Sequence, residues 1–267
     1  MKDLRLTMVC MNSRVGDLDG NLSRILTVCD EASGKESDMV CFPELSLTGY
    51  SMPGSVSFEM PDDDPRIGAI LDKSSDTGMC ICFGYVGRGP TIRQAVVENG
   101  RPIGHYDKTH LGDREETVIE AGRELNTIET SRAVLGIQLC WESHFPEITT
   151  TYALKGADIV LMPFASGLGG ERRRSSWGRC LPARAYDNTV YVGACNAYGP
   201  TGTGTYLGGG ATILDPRGIV MSEDYSGECM VTADLTSEPL DRIRAKGYEN
   251  MRDLCFLDKR RPELYFR

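Results

Sequence analysis

No stretch of this 267-residue chain stays apolar over the length of a bilayer, so a membrane-crossing helix is not expected. Basic residues are outnumbered, with 29 Lys and Arg against 38 Asp and Glu and a formal charge of -9. Such a surface repels phosphate backbones and anionic lipid, which argues against nucleic acid and membrane as partners. The opening MKDLRLTMVCMN has only a short apolar run and no small-residue cleavage site after it, so a cytoplasmic protein is expected. No repeat or low-complexity linker divides the chain, and residues 1–267 read as one α/β domain.

Paired metal ligands are missing too. The ten cysteines are scattered, and Cys10, Cys41, Cys80, Cys82, Cys195 and Cys229 lie inside apolar, strand-like runs where a free thiol behaves as a small hydrophobe. Cys80 and Cys82 form the only close pair, and in an extended strand they point to opposite faces. Neither a disulfide framework nor a structural zinc site is expected, and no cofactor is implied.

What is present is an alternation of strands and helices. LRLTMVC, DMVCF and MCICFGYV read as strands; Leu22, Ile25, Leu26 and Cys29 share one helical face, and a shorter helix surrounds Ile67 to Leu71. IRQAVV and PIGHYD flank Glu98-Asn99-Gly100-Arg101, a hairpin signal that makes the sheet mixed. The second half repeats the logic. AVLGIQLC ends at Cys140, Pro146 opens a helix, ADIVLMP and TVYVGACNA are strands, and RCLPARAYDN is a helix preceded by a polar loop. ATILD and GIVMSE form a hairpin around Pro216-Arg217-Gly218, and ECMVTADL and EPLDRIRAK close the fold.

Three strand ends carry chemistry. In α/β sheets ligands gather beyond the carboxyl ends of strands, and Cys140 stands at such an end just before the helix opened by Pro146, where N-terminal amides favour a thiolate. Position alone leaves Cys140 open to being one more core thiol. In VCFPELSLTGY, Glu44 follows a buried run and should be partly desolvated, with its pKa raised into general-base range. Lys108, in GHYDKTHLGD, follows the second hairpin strand; lysines at strand exits are usually solvated.

Taken together, FPELSLTGY, YDKTHL and GIQLCWESHFPE resemble, in order and spacing, the three signature blocks of the nitrilase superfamily of carbon–nitrogen hydrolases. Further matches run through GDLDGNL, the EAG ending at Gly122, GADIVLMPFAS, ARAYDNTVYVGACNAYG and ILDPRG. The resemblance implies a four-layer αββα sandwich with two mixed sheets. It implies Glu44 as general base, Lys108 as electrostatic stabiliser and Cys140 as nucleophile, with the Trp141 backbone N–H helping to hold an oxyanion. A second glutamate, Glu115 or its neighbour Glu116, would complete the set. Departures from the pattern are Asn12 where Gln is usual and Gly208, Gly209 and Gly210 where a serine is common.

Other residues divide between site and scaffold. Glu142 beside Trp141 is a candidate substrate contact, and Phe164 and Trp177 could line a pocket or fill core. Glu171-Arg172-Arg173-Arg174 reads either as a solvated loop or, through Arg172 and Arg173, as a carboxylate-binding site. His144 invites a Cys/His reading, but four residues along a turning chain it rarely points back. The expected function is hydrolysis of a small carboxamide or N-carbamoyl compound through a cysteine thioester. A nitrilase is the second expectation, supported by Cys140-Trp141-Glu142, and a silent ligand-binding member the third. The resemblance also implies a homodimer, through the helix after Pro146 and the segment RRPELYFR.

Overall fold

Residues 1–245 and 255–265 are described by the computed structural model. The first half contains β1 (Leu4–Cys10), α1 (Leu18–Gly34), β2 (Met39–Cys41), α2 (Pro65–Thr77), β3 (Cys80–Gly87), β4 (Thr91–Glu98) and β5 (Arg101–Asp107). The second contains β6 (Ile128–Glu129), β7 (Val134–Ile137), α3 (Pro146–Leu154), β8 (Ile159–Phe164), α4 (Gly170–Asn188) and β9 (Tyr191–Asn196). Then follow β10 (Tyr198–Pro200), β11 (Tyr206–Gly208), β12 (Ala211–Leu214), β13 (Val220–Asp224), β14 (Cys229–Leu235) and α5 (Glu238–Arg244).

Two six-stranded sheets, ordered β14-β1-β2-β3-β4-β5 and β13-β12-β9-β8-β7-β6, stack face to face. In each, three central strands run parallel and are extended by antiparallel neighbours. The inter-sheet core holds Leu6, Met8, Val96, Leu135, Leu161 and Ile213. The outer face of the first sheet packs Val40, Ile81 and Phe83 against Ile25 of α1 and Ile70 of α2; that of the second packs Val160 and Val192 against Tyr152 of α3 and Leu181 of α4. This is the expected four-layer sandwich. Strands buried on both faces read as continuous apolar runs, which is why the central ones stood out in the sequence.

Local chemistry sets the boundaries. Asp64 caps α2 by accepting from Arg66 N–H, Pro65 supplies its first residue, and Gly78 ends it in the left-handed region. The helix is therefore longer than the Ile67-centred segment expected. Asn99 and Gly100 both have positive φ, 51° and 74°, as a two-residue hairpin turn requires. Sequence periodicity missed β6 and the β10-β11 ribbon, because each is two or three residues long. The polar loop expected before RCLPARAYDN is instead the first turns of α4, which begins at Gly170.

All ten cysteines are free. Among the described residues no cluster of metal-ligating side chains is found, and no helix is long and apolar enough to cross a membrane. The exposed side of α3, with Thr150, Thr151 and the 57 % exposed Leu154, borders a surface depression shared with Arg260 and Tyr265. The last two residues of RRPELYFR lie outside the described residues.

Candidate active site

Glu44 lies just past the carboxyl end of β2, Lys108 at that of β5, and Cys140 beyond that of β7. The turn after β2 is drawn tight against β3: a Cβ on Gly84 would stand 2.4 Å from Leu45 N. Leu47 N–H donates to Gly84 O and Gly84 N–H to Ser46 Oγ, while Leu45 adopts φ 51°. Lys108 is fixed through its backbone, its N–H donating to Ile92 O and its carbonyl accepting from Gly122 N–H. That bond explains why the EAG motif belongs with the lysine.

The three functional groups converge. Lys108 Nζ donates to Glu44 Oε1 at 2.8 Å and to Glu115 Oε1 at 2.7 Å, with all three side chains buried. Glu115, rather than the exposed Glu116, therefore reaches the lysine. Tyr50 OH donates to Glu115 Oε1 at 2.8 Å and Gly112 N–H to its Oε2 at 2.7 Å. The second oxygen of Glu44, Oε2, is buried and has no hydrogen-bond partner among the described residues.

Cys140 opens a tight turn, Cys140–His144, with φ 42°, a conformation that a non-glycine residue adopts only when its surroundings impose it. Gln138 Nε2 donates to the carbonyls of Glu142 and Phe145, and Arg184 Nη2 donates to Ser143 O at 2.9 Å. The turn's own bonds run from Glu142 N–H to Leu139 O and from Phe145 N–H to Glu142 O. The charges of Glu44 and Lys108 both act on the thiol, the first opposing its thiolate and the second favouring it, and the Ala165 backbone, one residue beyond β8, also favours the thiolate.

Electrostatics assign states to these groups. Burial, reinforced by the charges of Glu115 and Glu142, raises Glu44 to about 7 even against the pull of Lys108. Burial opposes the charge of Lys108, but Glu44, Cys140 and Glu115 outweigh it and keep the ammonium protonated well above its ordinary range. Burial and the neighbouring Glu44 push the Cys140 thiol up to about 12. The expectation that helix amides hold a resting thiolate is thus corrected: desolvation wins, and the thiol is neutral until a base takes its proton.

The remaining sequence candidates separate. Glu142 is fully buried and its carboxylate is already occupied: Oε1 accepts from Tyr106 OH at 2.6 Å, Thr109 N–H at 2.9 Å and His110 N–H at 3.0 Å, and Oε2 from Leu139 N–H at 2.7 Å. Burial opposes its charge, yet the His110 side chain, Tyr106 OH and the backbone N–H groups of Leu139 and His110 hold its pKa below the usual value. Glu142 therefore ties the lysine loop to the cysteine turn, and it has no oxygen turned to a substrate as the sequence suggested. Trp141 is exposed and stacks edge-on against His144, 5.4 Å between centroids, and no hydrogen bond joins that histidine to the thiol among the described residues.

Arg172 is exposed, whereas Arg173 is buried. Phe164 and Trp177 pack together in the core beneath the Arg173 guanidinium. Sequence reasoning had no hold on Tyr50, Tyr106 and the Ala165 backbone. The two tyrosines sit inside the quoted motifs, but their partners are distant in sequence; a backbone group leaves no residue signature.

The chain is similar to several known proteins. A nitrilase of Pyrococcus abyssi is 28 % identical over 99 % of this chain and 100 % of its own length. An (R)-stereoselective amidase of Pseudomonas sp is 25 % identical over 94 % of this chain and 91 % of its own. Among solved structures, an amidase from Nesterenkonia sp. superposes with a TM-score of 0.83 at 24 % identity, covering 98 % of this chain and 95 % of that one. A mutant form of a Nesterenkonia amidase holds the acetamide moiety of fluoroacetamide covalently at its active-site cysteine. The sequence model described as Carbon-nitrogen hydrolase matches residues 5–245, and the chain belongs to that family.

Proposed function

We propose that this protein hydrolyses a small carboxamide or N-carbamoyl compound through a thioester on Cys140. The observation that carries the reading is the buried Glu44–Lys108–Glu115 chain beside a thiol, with Glu44 Oε2 unpartnered. An ammonium has three protons; two are given to carboxylates, and the third is free for a developing oxyanion. As Sγ attacks the carbonyl carbon, its proton passes to Glu44 Oε2, and the negative oxygen is held by Lys108 and the Trp141 N–H, which the turn's own bonds do not use. Collapse breaks the C–N bond while Glu44 returns the proton to the leaving nitrogen. Water then attacks the thioester, Glu44 takes its proton, and Sγ leaves as the thiol when that proton is delivered to it.

Glu115 acts here as a positioning residue, aiming Lys108 and raising the basicity of Glu44 through its charge. The neutral resting thiol suits the scheme, because a proton moved only during attack leaves no thiolate exposed to chance oxidation or alkylation. Relatives named both nitrilase and amidase keep the nitrile reading in play, and one assay decides between them. Matched amides, carbamoyl amines and nitriles are offered and ammonia release is followed. Faster turnover of the amide in matched pairs supports the proposal; faster turnover of the nitrile replaces it with the second reading.

The exposed α3 face with Leu154 is the surface through which we propose a two-fold dimer. Light scattering that finds only monomer at micromolar concentration contradicts this.

A further inference from the structure

Arg173 is 4 % exposed, yet no carboxylate of the protein pairs with it among the described residues. Its Nε donates to Leu168 O at 3.2 Å and one Nη2 proton to Ser166 Oγ; Nη1 has no protein acceptor among the described residues. The guanidinium lies over two aromatic faces, 5.3 Å from the Phe164 centroid and 4.9 Å from that of Trp177. Room for its stem is provided on the opposite side. A Cβ on Gly210, which has φ 111°, would stand 3.0 Å from Arg173 Cγ and 2.8 Å from the Tyr225 ring. Gly210 belongs to the triple glycine that departs from the family pattern.

The position of this cation matters more than its burial. Phe164, Ala165 and Ser166 are consecutive: the first lies under the guanidinium, the backbone of the second favours the Cys140 thiolate, and the third accepts from Arg173. The nucleophile and the arginine thus both adjoin one three-residue segment at the end of β8, and their charges act on each other. Desolvation depresses the basicity of Arg173, and the groups that counteract it are Cys140, Tyr225 and Cys180, none of them a carboxylate. A buried guanidinium stacked on aromatic faces without a carboxylate partner is costly, and an anion that completes its fork offsets that cost.

We infer that Arg173 anchors a carboxylate of the substrate, so that the amides this enzyme prefers carry an anionic carboxylate a short chain away from the scissile C–N bond. The inference rests on the amidase reading and narrows its substrate class. The carboxylate can lie on the acyl side, as in a dicarboxylic acid monoamide, or on the amine side, as in a carbamoylated amino acid. Recognition is the same in both, and the substrates of the test separate them.

The test uses two isosteric pairs, succinamate with 4-methylpentanamide and N-carbamoyl-β-alanine with isopentylurea, with kcat/KM measured by ammonia release. Wild type is expected to favour the carboxylate in at least one pair by about 100-fold or more, the size of a buried charge-assisted pair. Arg173→Gln should collapse that ratio toward unity, and Arg173→Lys, which keeps the charge without the fork, should leave an intermediate ratio. If Arg173→Gln does not fold, the wild-type ratio and the lysine variant carry the test. Turnover of neutral members without a carboxylate preference, or a ratio that Arg173→Gln leaves unchanged, overturns the role of Arg173 and leaves the amidase reading standing. Failure to turn over any amide or urea overturns both.

Discussion

Lys108 Nζ donates to one oxygen of Glu44 at 2.8 Å, and the other oxygen of that carboxylate is buried without a partner. One end of the glutamate is tethered and the other is free to take a proton. Glu44→Gln, Lys108→Ala and Cys140→Ala should each lower kcat/KM by about 10⁴-fold or more, and the double variants should be little worse than the singles, because the members act as a unit. His144→Ala should leave the rate near wild type, since that ring is packed against Trp141. Steady-state kinetics on folded variants checks all of these.

The rate should follow the ionisation of Glu44. Only the carboxylate accepts the thiol proton, so kcat/KM should rise with pH and level off above about 7, the value to which burial raises this group. Glu115 adds to that elevation, so Glu115→Gln should move the acid limb to lower pH while also reducing the plateau. A limb that stays in place, or moves upward, contradicts the assigned coupling.

Glu142 should matter for stability more than for chemistry. Its folded pKa is held below the unfolded one, so its contribution is fully present above the ordinary carboxylate range and is lost as pH falls toward the folded value. Glu142→Ala should cost about 3–5 kcal/mol, because it orphans buried donors on two loops at once. Urea midpoints at neutral and acidic pH should converge for Glu142→Gln and diverge for wild type.

Tyr50→Phe removes one donor from Glu115 and should reduce turnover by about 5- to 10-fold, the value of a single net hydrogen bond. A change in KM alone, with kcat untouched, would assign Tyr50 to substrate contact instead.

Much of this was legible before any coordinates. Strands β2, β3 and β8 are buried on both faces and announce themselves as apolar runs, so the polar residues that follow them are visible as exceptions. Asn99-Gly100 fixed the hairpin that delivers Lys108, because few dipeptides tolerate positive φ at both positions. Arg173 was not separable from Arg172 and Arg174, since which arginine faces inward depends on where α4 starts and on Phe164 and Trp177 beneath it. Glu142 was noticed for its neighbours in sequence, but its role is set by Tyr106 and Thr109, more than thirty residues away. The thiol's state was misjudged because local amides can be read from sequence and desolvation by packed sheets cannot.

The central claim is a thioester on Cys140 formed with proton transfer to Glu44. Rapid quenching of the protein with a turned-over carboxamide, followed by peptide mapping by mass spectrometry, tests it most directly. The account predicts an acyl adduct confined to the peptide containing Cys140, ammonia released in step with its formation, and neither product in Cys140→Ala. Ammonia release that persists in Cys140→Ala, or an adduct mapped to any other cysteine, would contradict it.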